Sequence, residues 1–396
     1  MKAFQFAAAV VLASALPACK EELTTPVDCP ELCPGNSLIV RDTTIEAIFD
    51  LDSTFTGYLR ATDIPALLIS NGLPAGDARA WATFPRRSDS VTVDGLARFL
   101  TLDSAAITLH VLGLDKTVQG TQLVVHRISA ALDTNTTLAA IDAQLTPDSR
   151  LGAIAVSDTG NARLVLSGDD LLKIAPVEAD SFRLGLGFRI DAPEPTGLRI
   201  ASLNFDSRPP TMTLYGKIVI ADTSKVRQTL TAVADSANYV INTPAPPGQE
   251  HLFLGGKSGS RSIIRFNAPP ALRDSAIILR ATLELTPAEP LLGLKGDPAT
   301  LEVRGVLADV GAKSPYLANL RGTLSLPVDV TTVQSIDLRD IVGTWFVASP
   351  PPSALMIGVN PEGGTFARPE FFSTRSPSGR PRIRITYALP SQPGHP

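Results

Sequence analysis

A few residues in this sequence have types and spacings that could do chemistry. Cys29 and Cys33 stand in C-x3-C spacing within the Pro-rich run VDCPELCPGN. A zinc site needs two more thiolate or imidazole ligands, and no histidine is near, so a local disulfide in an oxidising compartment is the expectation. The pair Lys257-Ser258 after Gly255-Gly256 invites comparison with a phosphate-binding loop. That loop needs Gly at position 251, where His251 stands, and a helix afterwards, where an apolar strand pattern follows, so the stretch reads as a polar turn between strands. Four histidines are scattered, with His395 in the tail and His251 beside a turn. His110 and His126 fall on strand positions opposite apolar ones and are expected to face solvent. Neither G-x-S-x-G nor H-E-x-x-H occurs, and spacing singles out no glycosidase-like pair among the 39 acidic residues. The expectation is a chain without catalytic residues, metal ligands or cofactor; its ligand-binding residues are not legible from pattern.

The third cysteine lies in a different setting. Met1-Lys2 is a short positive segment and Ala7 to Leu16 an apolar one, too short to span a bilayer stably. The segment ends in Leu16-Pro17-Ala18-Cys19, which resembles the bacterial lipobox, Pro17 being less usual at its place. The resemblance implies that residues 1–18 are a lipoprotein signal peptide and that Cys19 carries a lipid and becomes the mature N-terminus. Each buried methylene of such a lipid contributes about 0.8 kcal/mol, so several chains anchor a protein durably. The partner it implies is a membrane, and the address is exported and lipid-anchored. Because Lys20 rather than Asp follows, that address is the outer membrane if the source is Gram-negative. Residues 19–36, rich in Glu, Thr and Pro, read as a tether.

Composition bounds what these residues are mounted on. The 396 residues are enough for two domains with separate cores, at 44% hydrophobic and 19% charged. Thirty-three Pro and 29 Gly without long helical periodicity predict many short strands joined by turns. A net charge of −4 with no dense Lys/Arg run excludes a nucleic-acid footprint.

The strongest strand pattern runs from Ile277 to Leu285. Ile277, Leu279, Ala281, Leu283 and Leu285 alternate with Arg280, Thr282 and Glu284. It sits in a unit of Gly/Ser loop, apolar strand 261–266, Pro-rich turn and alternating strand, and a weaker copy lies upstream. GDARAWATFP (76–85) parallels GSRSIIRFNAP, SAAITLHVLG (104–113) parallels RATLELTP, and TQLVVHRISAAL (121–132) parallels ATLEVRGVLADV (299–310). Each copy then has a less regular region and a short helix-like piece, 167–175 and 335–347, the second with Asp337 as a cap and Ile341, Val342 and Trp345 on its buried side. Strands 181–190, with Phe182, Leu184, Leu186 and Phe188 alternating, and 354–360 follow. Each copy closes on R-P-x5-Y, Arg208 to Tyr215 and Arg380 to Tyr387, but Met212 and Leu214 sit one step off the positions of Ile383 and Ile385. The expected fold is therefore all-β: two tandem jelly-roll-like antiparallel β-sandwich domains, each with one short helix. The first is expected over 37–220 and the second over 225–390, with a tail at 391–396.

The order of these motifs resembles the DNRLRE family of exported β-sandwich modules. ADSANYV (234–240) is similar to its opening strand, LFLGG (252–256) to its turn and RSIIRF (261–266) to the next strand. LRATLEL, IDLRDIVGTW and the closing FFSTRSPSGRPRIRITY continue the order. The sequence departs from the family where a Trp-containing motif is usual, around 311–316, and at Arg375, near where Glu is common. The resemblance implies jelly-roll-like sandwiches appended to secreted proteins, with carbohydrate binding attributed to some members.

Aromatic residues bear on that implication. The chain has two Trp and five Tyr; Trp81 and Trp345 are placed for core packing, and Tyr215 and Tyr387 end closing strands, so a sugar would be held mainly by polar loops. The function expected is a non-catalytic, membrane-anchored envelope or surface lipoprotein for binding or adhesion, to polysaccharide. The alternatives are a structural subunit whose partner is an envelope protein and, behind it, a polysaccharide-degrading enzyme.

Overall fold

The computed structural model describes residues 39–60, 62–86, 90–175, 183–205, 208–221, 224–243, 248–272, 276–347 and 349–389. The expected signal peptide, tether and tail, with Cys19, Cys29, Cys33, Phe182 and His395, lie outside the described residues.

The chain is all-β, as its alternating patterns require. It enters through β1 (Ile39–Thr56), β2 (Ala66–Asn71) and β3 (Asp77–Phe84), then a small hairpin, β4 (Ser90–Val93) and β5 (Leu96–Phe99). The long β6 (Thr101–Leu114) and β7 (Gln122–Ile128) lead to helix α1 (Leu138–Asp142), capped by Thr137 Oγ1, which accepts from Ala140 N–H. Next come β8 (Arg150–Ala155), β9 (Gly160–Ser167), helix α2 (Asp170–Lys173), β10 (Leu184–Asp191), β11 (Thr196–Ala201) and β12 (Thr211–Ala221). The second half runs β13 (Ser224–Val233), β14 (Ser236–Asn242), β15 (His251–Phe253), β16 (Ser260–Phe266), β17 (Ile277–Leu285), β18 (Ala299–Val306), β19 (Tyr316–Leu326) and β20 (Gln334–Asp337). Helix α3 (Arg339–Gly343), β21 (Ala354–Asn360), β22 (Glu370–Phe372) and β23 (Arg382–Leu389) complete it.

Two curled antiparallel sheets enclose two cores. In the first, β8-β7-β10-β3-β14 forms one layer and β9-β6-β12-β13 the other, linked through β2 and β11. In the second, β19-β18-β21-β16 and β23-β17-β20 are the layers, and β1 belongs to both: residues 39–46 pair β23 and residues 47–56 pair β16. A bulge between Ala47 and Asp52, with Asp50 at φ 61°, turns β1 from one layer to the other. The pairing orders of the halves coincide strand for strand, with β13 and β14 doing for the first half what the two ends of β1 do for the second. The separate pair β15-β22 answers to β2-β11.

This arrangement corrects the expected boundary at 220–225. That stretch joins β12 and β13, which pair antiparallel within the first sheet, while β1, expected in the first domain, is central to the second sheet. The halves have exchanged their edge-closing strands. Pattern alone could not foresee this, because an alternating strand suits either sheet that offers it an apolar face.

Other expectations are settled strand by strand. Ala105, Ile107, Leu109 and Val111 are all buried in the first core, with Leu184, Leu186 and Phe188. Phe266, Leu283, Ile341, Trp345, Ile357 and Ile385 share the second, where Trp345 stacks on Phe266 at 5.9 Å. Trp81 is buried too, beneath α1 with Ile128, Ile141 and Leu145. In β17 the alternation breaks: Ile277 and Leu279 are exposed and Ile278 is buried, since a bulge between Ile278 and Arg280 flips the faces. The closing strands are one residue out of step with the R-P-x5-Y spacing. Met212 and Leu214 lie opposite Ile107 and Ala105, as Ile383 and Ile385 lie opposite Leu283 and Ala281. The expected helix at 335–347 begins as β20. Asp337 accepts from Arg339 N–H at 3.0 Å, one residue ahead of the observed cap at Leu338. Helix α1 was not expected, being five residues long and lost in an irregular stretch.

Candidate functional site

The outer face of the second sheet carries a polar cleft of about 210 Å³. Antiparallel register builds it. Arg261 comes from β16, Glu302 and Arg304 from alternate positions of β18, and Met356, Gly358 and Asn360 from alternate positions of β21, so all project on one side of the sheet. Gly358 opposes Glu302 and leaves the floor open: a Cβ there would meet only the Arg261 stem, at 3.5 Å. Tyr316 opens β19 at one wall, and Glu362 follows the cis Asn360–Pro361 bond at the other.

Guanidinium–carboxylate pairs hold these side chains in place. Arg261 grips Glu362 with both donors, Nε to Oε1 at 2.9 Å and Nη2 to Oε2 at 2.6 Å, a planar two-bond match that fixes both groups. Arg304 donates to Glu302 at 2.6 Å and to the Ala318 carbonyl at 3.1 Å. Each guanidinium also lies on a tyrosine, Arg261 on Tyr58 at 4.3 Å and Arg304 on Tyr316 at 4.6 Å. Tyr58 Oη donates to the Ala312 carbonyl at 2.7 Å. Burial works against the charge of Arg261, but the hydrogen bonds and charge of Glu362 outweigh it and hold the pKa above its ordinary value. Burial, with Glu362 adding and Arg261 opposing, raises that of Tyr58. The cleft is thus rich in donors and acceptors, with two cations balanced by two carboxylates.

The residues singled out in the sequence lie elsewhere. His110 bonds Asn161 at 2.9 Å and Arg208 at 2.9 Å. His126, expected in solvent, is buried, because β7 is flanked by β10 and β8 and covered by the 144–149 turn. Its Nδ1 is 3.1 Å from the Thr146 carbonyl. Burial, then Arg189, lowers its pKa. His251 stands 3.7 Å from Glu370. Arg375 is engaged by Asp50 at 2.5 Å and by the buried Asp52 at 3.3 Å, and Tyr215 Oη accepts from Arg163 at 3.0 Å. Among the described residues no group of three or more His, Cys, Asp or Glu is placed to hold a metal, and no helix is long and apolar enough to cross a membrane. The cleft went unread in the sequence because its residues come from four strands and a loop spread over a hundred positions. The one local signal was the Glu302–Arg304 alternation on β18.

No protein-family model matches the chain, and no curated protein is similar to it. Among solved structures, the infectious bursal disease virus VP2 subviral particle is similar at 10% identity, covering 93% of this chain and 83% of that one, with a TM-score of 0.14. The Gx strain of the same virus is similar at 10% identity, covering 92% and 82%, with a TM-score of 0.13. Likeness at that level says nothing of what this chain does.

Proposed function

We propose that this chain is a non-catalytic envelope or surface lipoprotein, held to a membrane through a lipid on Cys19, that binds polysaccharide at the cleft of Arg261, Glu302, Arg304, Tyr316 and Glu362. The DNRLRE-like order of motifs belongs to the same reading. The observation that carries it is the charge-balanced cleft over a glycine floor. Sugar hydroxyls come in adjacent pairs that both donate and accept. Fixed carboxylate oxygens and guanidinium edges match them without requiring a charged ligand. Ligand cavities usually begin near roughly 300 Å³, so the cleft would take one ring of a longer chain, and binding would be weak for each site.

Filling the floor tests this. Gly358→Val leaves every ion pair in place, and retention of the protein on envelope polysaccharide should fall about tenfold while the melting temperature holds. Unchanged retention removes the cleft from the proposal, and a wild-type protein that retains no glycan removes polysaccharide. Cys19→Ser should abolish partition into detergent; a variant that still partitions sinks the lipid anchor.

A further inference from the structure

A second, larger cavity of about 540 Å³ opens where the two halves meet. Thr134 and Val240 reach it from the first half and Phe253, Lys257, Ser260 and Arg368 from the second. It is lined by two cations and by no aspartate or glutamate. Four other cavities of this molecule each bring cations and carboxylates together; this one does not.

The two cations sit in surroundings that do little to compensate them. The Lys257 ammonium lies 5.3 Å from the ring centre of the buried Tyr239, and burial lowers its pKa with no charged group opposing. Arg368 is only 4% exposed, with its guanidinium 4.9 Å from the Phe253 ring. Burial lowers its pKa as well, Glu370 working the other way. Desolvated cations side by side are costly unless an anion joins them. The loop that carries Lys257 adds donors. Gly255 and Gly256 both take positive φ, 80° and 78°, in a tight turn after which the N–H groups of Lys257 and Ser258 have no backbone acceptor in the described residues. Consecutive N–H groups freed in this way are a common anion cradle.

We propose that this cavity binds a phosphate monoester, with the phosphate taken by Lys257 and Arg368 and by the hydroxyls of Ser258 and Ser260. The rest of the ligand lies along Phe253 and Val240. Charge favours phosphate over a carboxylate. A monoester carries about −1.5 to −2 near neutral pH and three acceptor oxygens, which matches two cations and several donors, whereas a carboxylate leaves one cation uncompensated. The site is not a nucleotide-type phosphate loop, since strand β16 rather than a helix follows it. It is separate from the glycan cleft, so either reading can fail without the other.

Calorimetric titration of the full chain with inorganic phosphate, glucose 6-phosphate, glucose and glucuronate tests the proposal. Both phosphate probes should bind, more weakly as salt is raised, and glucose should not. Equal affinity for the two would place the binding energy in the anion, and tighter binding of glucose 6-phosphate would add the ligand body; both outcomes support the site. Lys257→Met should weaken glucose 6-phosphate about tenfold or more with an unchanged melting temperature, and Lys257→Arg should keep most of the affinity. The proposal is overturned if neither phosphate probe binds, if glucuronate binds as tightly as glucose 6-phosphate, or if Lys257→Met has no effect.

Discussion

At the scale of single residues, His126 shows how a strand position can mislead. Its alternation with Val125 and Arg127 suggested a solvent face, but β7 is flanked on both sides and both its faces are covered. A carbonyl can only accept, so the contact with Thr146 assigns the proton to Nδ1. Nε2 is then bare, buried and without a partner. Protonating it would bury an unpaired charge near Arg189 and Arg150, which is why its pKa lies below the ordinary 6.5. The unfolded chain therefore takes up this proton first as pH falls. The histidine's contribution to stability is complete above about 6.5 and is lost as pH falls from there toward its folded-state pKa. Denaturation midpoints should drop over that window in the wild type and drop less in His126→Asn, which can keep a donor toward Thr146. Identical pH profiles would show that His126 does not titrate in this way.

At the scale of elements, the sequence carried the strands and their faces but not their partners. Period-2 alternation in β6, β10 and the later part of β17 is a local property, and the buried sides match it. The repeat order also carried the equivalence of the halves. Which sheet receives β1 is a long-range choice, set by where the open edges of β16 and β23 lie, and no local pattern records it. The cleft and the Lys257 cavity were illegible for the same reason, since both are assembled across strands distant in sequence. A segment of residues 225–390 therefore lacks its central strand and carries β13 and β14, which belong to the other sheet. It should show no cooperative thermal transition alone and gain one when a peptide of residues 39–56 is added. A cooperative melt without the peptide would refute the exchange.

At the scale of the whole molecule, exchange makes the halves interdependent, because unfolding either sheet withdraws a strand from the other. Further ties cross between them. Arg199 on β11 binds the Asp297 carboxylate through two donors, one at 2.8 Å, and gives a third hydrogen bond to the Gly364 carbonyl at 2.9 Å. Gly113 has no side chain because a Cβ would run into that carboxylate. Phe366 from the second half is buried in the first core, above Gly197, where a Cβ would press on its ring at 3.0 Å. Tyr239 on β14 donates to the Gly363 carbonyl at 2.8 Å. Two sandwiches joined only by a linker would melt in two steps, whereas these should melt in one. Asp297→Ala tests the tie most directly. It leaves a mostly buried guanidinium without its carboxylate, at a cost of roughly 3 kcal/mol. If the halves are coupled through the exchanged strands, calorimetry should show a single transition moved to lower temperature, both sheets losing stability together. If the wild type already shows two separable transitions, or if the variant shifts only one of two, the halves are independent and the exchanged strands do not couple them.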